Sequence, residues 1–366
     1  MADILNQLQA ISYKHIIMWI IGGVLIYLAI KEDMEPALLL PMGFGAILVN
    51  LPFSGAIGVD GALTTLFNAG ISNELFPLLL FIGIGAMIDF GPLLSNPKLL
   101  LFGAAAQFGI FFTLSMARLF GFELNDAASI AIIGAADGPT SIVVANLLKS
   151  KYLGGIMVAA YSYMALVPII QPPVIKLITT KKERLIRMPY EAKNVSKLTR
   201  ILFPILLTII VGIVSPKSVS LIGFLMFGNL IRECGVLDSL SETAQKVLAN
   251  LITLLLGFTI ATQMQAEEFI KKNTLIIIAL GLVAFIFDTV GGVLFAKFIN
   301  LFSKKKINPM IGAAGISAFP MSARVIHKMG LAEDPQNFLL MHTVGVNVSG
   351  QIASVIAGGL IVSLVS

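Results

Sequence analysis

Charge is scarce in this chain: only 12% of its 366 residues are Asp, Glu, Lys or Arg, where soluble domains carry about twice that share. Cysteine is scarcer still. Cys234 stands alone, so neither an intrachain disulfide nor a thiolate cluster is available, and its simplest role is that of a small apolar packing residue. The lack of a Walker A sequence excludes ATP hydrolysis by this chain. No Cys/His cluster offers a transition-metal site, and no Gly-x-Ser-x-Gly elbow marks a serine hydrolase. The formal charge of +5 and pI near 9.2 are not gathered in a basic domain interleaved with aromatics. Nucleic acid is therefore not implied, and orientation in a membrane accounts for the excess. Met1 to Tyr13 lacks the charged start and small-residue cleavage site of a signal peptide, so the first apolar run is read as a retained helix.

Apolar sequence fills the rest. Hydrophobic residues make up 57% of the chain and the mean hydropathy is +0.92. They fall in runs of about 15–25 residues, the length that crosses a bilayer as a helix. Six runs lie near 15–31, 36–52, 74–90, 99–120, 127–148 and 155–178, and six more near 201–214, 219–231, 246–262, 274–299, 308–328 and 338–364. Between them the basic stretch 179–200 carries Lys181, Lys182, Glu183, Arg184, Arg187, Lys193, Lys197 and Arg200. The pattern predicts an all-α polytopic membrane protein with a first membrane repeat over 1–178, a linker over 179–200 and a second repeat over 201–366. The opening of Ile133-Gly134-Ala135-Ala136-Asp137-Gly138-Pro139-Thr140-Ser141 returns as Ile311-Gly312-Ala313-Ala314-Gly315-Ile316-Ser317, 178 positions later. The positive-inside rule places 179–200 and Lys304-Lys305-Lys306 in the cytoplasm. The first-half counterpart of the triple lysine is acidic, Glu123 and Asp126, as an inverted repeat requires. Reading 127–148 and 308–328 as re-entrant broken-helix hairpins leaves about ten transmembrane helices, with an elevator-like arrangement. Lys149, Lys151, Lys271 and Lys272 fall on the outer side and count against this orientation.

Ionisable groups inside such segments are costly and point to function. Asp137 stands first, because Gly138-Pro139 removes a donor and leaves free carbonyls beside its carboxylate. With the hydroxyls of Thr140 and Ser141 these are hard oxygen ligands for a small cation or a proton; the competing reading is an interfacial capping aspartate. The second break, Asn308-Pro309 through Pro320, leads to Arg324, which either binds an anionic partner bidentately or snorkels to the interface. Asn347 and Gln351 share a helix face in the last segment, as ligands or as interhelical glue. Asp288 is a second ion or proton site or a partner for Arg324, Asp89 reads as interfacial, and Tyr163 either relays a proton or belongs to an aromatic belt.

Three motifs give the chain a specific resemblance: Gly134-Ala135-Ala136-Asp137-Gly138-Pro139-Thr140, Asn308-Pro309 followed by Gly-Ala-Ala-Gly-Ile-Ser-Ala, and Asn337-Phe338-Leu339-Leu340-Met341-His342. From about Asp33 onward it resembles the membrane β subunits of the sodium-pumping biotin-dependent decarboxylases, which serve oxaloacetate, methylmalonyl-CoA, glutaconyl-CoA and malonate decarboxylase complexes. Ala135 departs from the family, which more often has Gly there. The resemblance implies an enzyme, a carboxybiotin decarboxylase that couples CO₂ release and proton consumption to outward Na+ transport in the inner membrane of a prokaryote. It carries the essential aspartate to Asp137, the functional tyrosine to Tyr163, and an Asn-Gly-Ser-Arg series to Asn308, Gly312, Ser317 and Arg324. It also carries a Na+-ligating asparagine to Asn347. The expected catalytic set is thus Asp137, Tyr163 and Arg324, and the expected Na+ ligands are Asp137, Ser317 and Asn347. This sequence has no Met-Lys-Met carrier motif, so biotin must arrive on a carboxyltransferase or carrier subunit. A small single-span subunit, membrane lipid and a homo-oligomer complete the implied partners. The rival expectation is a secondary Na+/carboxylate transporter without chemistry, since broken helices serve both.

Overall fold

A computed structural model describes residues 9–189 and 194–365. The first eight residues of the polar start, and Lys193 of the linker, lie outside the described residues. The described chain is all-helical, without strands. In order, α1 spans Tyr13–Lys31, α2 Pro36–Val49, α3 Ala62–Gly70, α4 Leu75–Met87, α5 Pro97–Leu119, α6 Leu124–Ala131, α7 Gly138–Leu147 and α8 Leu153–Ile178. After the linker come α9 Lys197–Val214, α10 Val219–Cys234, α11 Asp238–Ala261, α12 Lys272–Phe302, α13 Met321–Glu333 and α14 Leu340–Val365.

Seven of these helices are long and apolar enough to cross a membrane, and α3 with α4, bent by 64°, adds an eighth if counted as one span. Outside the two interrupted segments, ten would require counting α2 and α10, which have 14 and 16 residues. At 1.5 Å per residue these are about 21–24 Å long, short of the hydrocarbon core of about 30 Å.

Helices on the two sides of the linker pack reciprocally. The Ala249–Ala261 part of α11 packs on α2, while α10 packs on α4; likewise α12 packs on α8, and α14 on the Leu100–Ala106 part of α5. Glycine allows the closest of these approaches. A Cβ on Gly85 would strike the carbonyl of Leu225, and one on Gly228 would strike that of Ile82.

Two interrupted segments enter this frame. In hairpin A, α6 runs into a tight turn at Ile132–Ala135; Ala136 then takes a left-handed conformation (φ 51°) and Asp137 caps α7. Pro139 near the start of α7 needs no helical partner for its nitrogen. In hairpin B, Asn308 caps the tight segment Pro309–Gly315, an irregular tip follows, and α13 leads out. The linker closes over hairpin B. Asn308 Nδ2 donates to the carbonyls of Arg184 (2.8 Å) and Ile186 (3.0 Å), and Arg184 pairs with Glu333 at 2.6 Å. Arg187 reaches Asp334 at 2.6 Å. On the expected outer side, Lys151 and Lys271 are paired with Glu123 (3.0 Å) and Glu268 (2.6 Å).

Candidate functional site

The tips of the two hairpins meet. Ser317 of hairpin B donates its backbone N–H (3.0 Å) and its hydroxyl (2.8 Å) to the Ala135 carbonyl of hairpin A. The left-handed turn at Ala136 then carries Asp137 to the junction. Its side chain is held on both oxygens: Thr140 N–H at 3.2 Å on Oδ1, with the Thr140 hydroxyl at 2.7 Å, the Ser354 hydroxyl at 2.8 Å and Gln351 Nε2 at 3.2 Å on Oδ2. Four donors converge on this one carboxyl group, and helix α7 presents its positive end to it.

Hairpin B contributes backbone oxygen instead of charge. Asn347 Nδ2 donates to the carbonyls of Ala314 (3.1 Å) and Ile316 (2.7 Å), and Gln171 Nε2 donates to that of Ala313 (2.9 Å). The Ser322 hydroxyl fixes Gln171 by donating to its Oε1 at 2.9 Å. With its nitrogen so committed, the Asn347 amide leaves Oδ1 buried and unpartnered. A buried acceptor without a donor is costly, and it fits a cation ligand. The hairpin junction thus offers a carboxylate, a hydroxyl, an amide oxygen and ordered carbonyls, donor types that suit an alkali or similar cation.

A cleft of about 280 Å³ opens beside the junction and is lined by Asp137, Ser317, Arg324, Gln351, Tyr161 and Glu35 among others. It sits near the lower end of the small-ligand range of about 300–1,000 Å³. Among the described residues, Arg324 has no carboxylate within salt-bridge distance, so its guanidinium is available to an anion.

The structure thus brings together Asp137, Ser317 and Arg324 in the cleft, with Asn347 clamping the hairpin B tip. It does not bring in Tyr163, whose hydroxyl donates to the Ile278 carbonyl of α12. Two residues earlier on α8, Tyr161 reaches the cleft, its buried hydroxyl unpartnered. Asn308 stands at the base of hairpin B under the linker, not at the tip. Gly312 packs against Gly292 of α12 so closely that a Cβ on either would strike the other's carbonyl. Asp288 is not the partner of Arg324: its Oδ1 accepts the Gly109 N–H in α5 and Oδ2 is unpartnered. Asp89 lies half-exposed beside Arg200 (3.4 Å).

This geometry frames the comparison with known proteins. The family described as Na+-transporting oxaloacetate decarboxylase beta subunit matches residues 14–365. The chain belongs to this family. It is 49% identical over 357 residues to methylmalonyl-CoA decarboxylase subunit beta of Veillonella parvula, covering 98% of this chain and 95% of that one. To glutaconyl-CoA decarboxylase subunit beta of Acidaminococcus fermentans it is 49% identical over 356 residues, covering 97% and 94%. To the oxaloacetate decarboxylase beta chain of Klebsiella pneumoniae it is 42% identical over 428 positions, covering 99% of each. For a member of the decarboxylase β family, the junction also holds residues that sequence reasoning passed over. Ser354 follows Asn347 and Gln351 at i+7 and i+3 on one face of α14, a spacing that marks it; Gln351 acts as interhelical glue, and what it holds is Asp137. Glu35 follows Lys31, Glu32 and Asp33 and reads as one more interfacial charge.

Proposed function

We propose that this chain is the membrane subunit of a multi-subunit decarboxylase Na+ pump, decarboxylating carboxybiotin and moving Na+ outward. The decarboxylase role and the link to Na+ follow from the family. Decarboxylation of biotin's N-carboxylate in this cleft is our reading, and one observation carries it: the unpaired guanidinium of Arg324 shares a cleft with the Asp137 junction. Arg324 would bind the N-carboxylate bidentately, while Na+, as cargo, would be held by Asp137, Ser317 and Asn347. Loss of the N-carboxylate as CO₂ removes the anion from Arg324 and consumes one proton, a change of charge beside the ion. Carried on two broken hairpins, such a change can bias an elevator-like movement between two halves related as an inverted repeat. Asn308 and Gly312 act by seating hairpin B, and Tyr163 by fixing α8 to α12. Biotin arrives in trans on a carrier or carboxyltransferase subunit, a single-span subunit and further copies complete the complex, and the inner membrane of a prokaryote houses it.

Reconstitution tests this directly. With its partner subunits in proteoliposomes and carboxybiotin supplied, CO₂ release should require Na+ and should be lost in Asp137→Asn. Release that ignores Na+, or survives that substitution, refutes the pump. Na+-driven carboxylate uptake without CO₂ release would establish the transporter instead.

A further inference from the structure

Breaking the N–CO₂⁻ bond returns the bonding electron pair to the ureido nitrogen, which must then take up a proton; CO₂ leaves. The cleft therefore needs an acid. Its titratable lining groups are Glu35, Asp137, Tyr161 and Arg324. Arg324 does not give up its proton at ordinary pH. Asp137 already accepts four hydrogen bonds through its two oxygens and is assigned above to the ion. Tyr161 is fully buried, its ring so close to Gly138 that a Cβ there would collide with it, and it has no exposed surface. Glu35 differs from all three. It is partly buried at the start of α2, and its side chain makes no hydrogen bond or ion pair among the described residues. Its backbone is held left-handed (φ 37°, ψ 60°) immediately before Pro36. A non-glycine residue held there is strained, and such strain gathers at functional sites.

We infer that Glu35 is the acid of the decarboxylation: it donates its proton to the ureido nitrogen as CO₂ departs and is reloaded from water at the cleft mouth. This rests on the pump reading above. The electrostatics suit the cycle. Burial pushes the Glu35 carboxyl up, Arg324 facing it pulls it down, and Asp33 on its own loop pushes it up. Asp137 of α7 is the other carboxylate of the cleft, Tyr161 of α8 is neutral, and α11 offers only uncharged groups such as Gln245 and Asn250. An arriving carboxylate neutralises Arg324 and adds a like charge, and both changes favour the protonated Glu35. Substrate binding thus loads the acid that the reaction then uses.

The test is the pH profile of CO₂ release from free carboxybiotin by the whole complex in proteoliposomes at saturating Na+. The wild type should lose kcat on the alkaline side, where the acid is ionised. Glu35→Gln should lose about 100-fold or more in kcat, as general-acid loss does, while KM moves by less than about 3-fold and the alkaline limb disappears. Glu35→Asp should keep part of the rate with the limb displaced, which carries the test if the glutamine variant fails to assemble. Na+-dependent thermal stabilisation of the Glu35→Gln complex reports an intact ion site. A Glu35→Gln complex with the wild-type kcat and limb, or with only a raised KM, overturns the inference while the pump reading stands. A wild-type complex that releases no CO₂ overturns both.

Discussion

The two hairpins occupy matching places and do opposite things. Position 137 of hairpin A corresponds to position 315 of hairpin B, 178 residues on: an aspartate faces a glycine. Hairpin A brings a side-chain carboxylate, and donors from α14 converge on it. Hairpin B brings peptide carbonyls, and amides from α8 and α14 hold them in place. A Cβ at Gly315 would meet the Ala106 methyl and the Phe102 carbonyl, both at 2.7 Å, so a second carboxylate there has no room. Two carboxylates would have made a site for a divalent cation. One carboxylate with ordered neutral oxygens suits a monovalent one, which can also leave. The anchoring differs too: hairpin B is tied at its base by the linker, whereas hairpin A closes its own neck through Asp126, which accepts from Ser150 (2.7 Å) and Lys151 N–H (3.0 Å).

Removing the charge from hairpin A should have the largest effect. Asp137→Asn should lower Na+ affinity by more than about 100-fold, beyond what loss of an outer-shell partner does, as measured by Na+-dependent thermal stabilisation of the complex; a small change would mean that the carbonyls alone suffice. Freeing the carbonyls of hairpin B comes next. Asn347→Ala leaves those of Ala314 and Ile316 unheld and should cost about 10–100-fold in the same affinity. Wild-type affinity would remove Asn347 from the site. Gly312→Ala attacks the seat of hairpin B, and the added methyl should cost about 1–3 kcal/mol, read as a lower unfolding temperature in detergent. Tyr163→Phe loses one hydrogen bond to a carbonyl remote from the cleft. It should lower stability by about 0.5–1.5 kcal/mol and leave the pH profile unchanged; a shifted profile would return Tyr163 to the chemistry.

The smallest effect concerns the linker over hairpin B. Arg187 beside Asp334, with the Gln336 N–H, holds that carboxyl below the usual aspartate range. A lowered value means that the contact is complete above the ordinary pKa of about 3.9 and is lost as pH falls through the lower folded value. Proteolytic nicking within 181–189 should therefore rise only in that acid range, and Asp334→Asn should abolish the rise.

Hairpin placement was legible because glycine, proline and a carboxylate interrupt hydrophobic runs that otherwise have no reason to stop. The six-plus-six order of segments follows from hydropathy alone. Other features were out of reach. Tyr161 and Tyr163 are two residues apart on one helix, which puts them about 200° apart, and the apolar surroundings of α8 do not say which face meets the cleft. The role of Asn308 depends on carbonyls more than a hundred residues earlier in the chain, since any asparagine before a proline reads as a cap. Glu35 was hidden by its charged neighbours. The early end of α2 at Val49 was invisible because apolar sequence continues past it, whereas α10 already read as a short run over 219–231.

The reciprocal packing of α2 with α11 and α4 with α10 has a consequence for how the protein is made. When synthesis reaches the linker, α2 and α4 are in the bilayer without the helices they will pack against. The nascent chain must hold them as an open, glycine-faced surface until α10 and α11 have been inserted. Neither portion is a self-sufficient folding unit of the kind that matures as it emerges. A gene cut within the linker should yield two pieces that persist only when translated together, each acting as the other's chaperone.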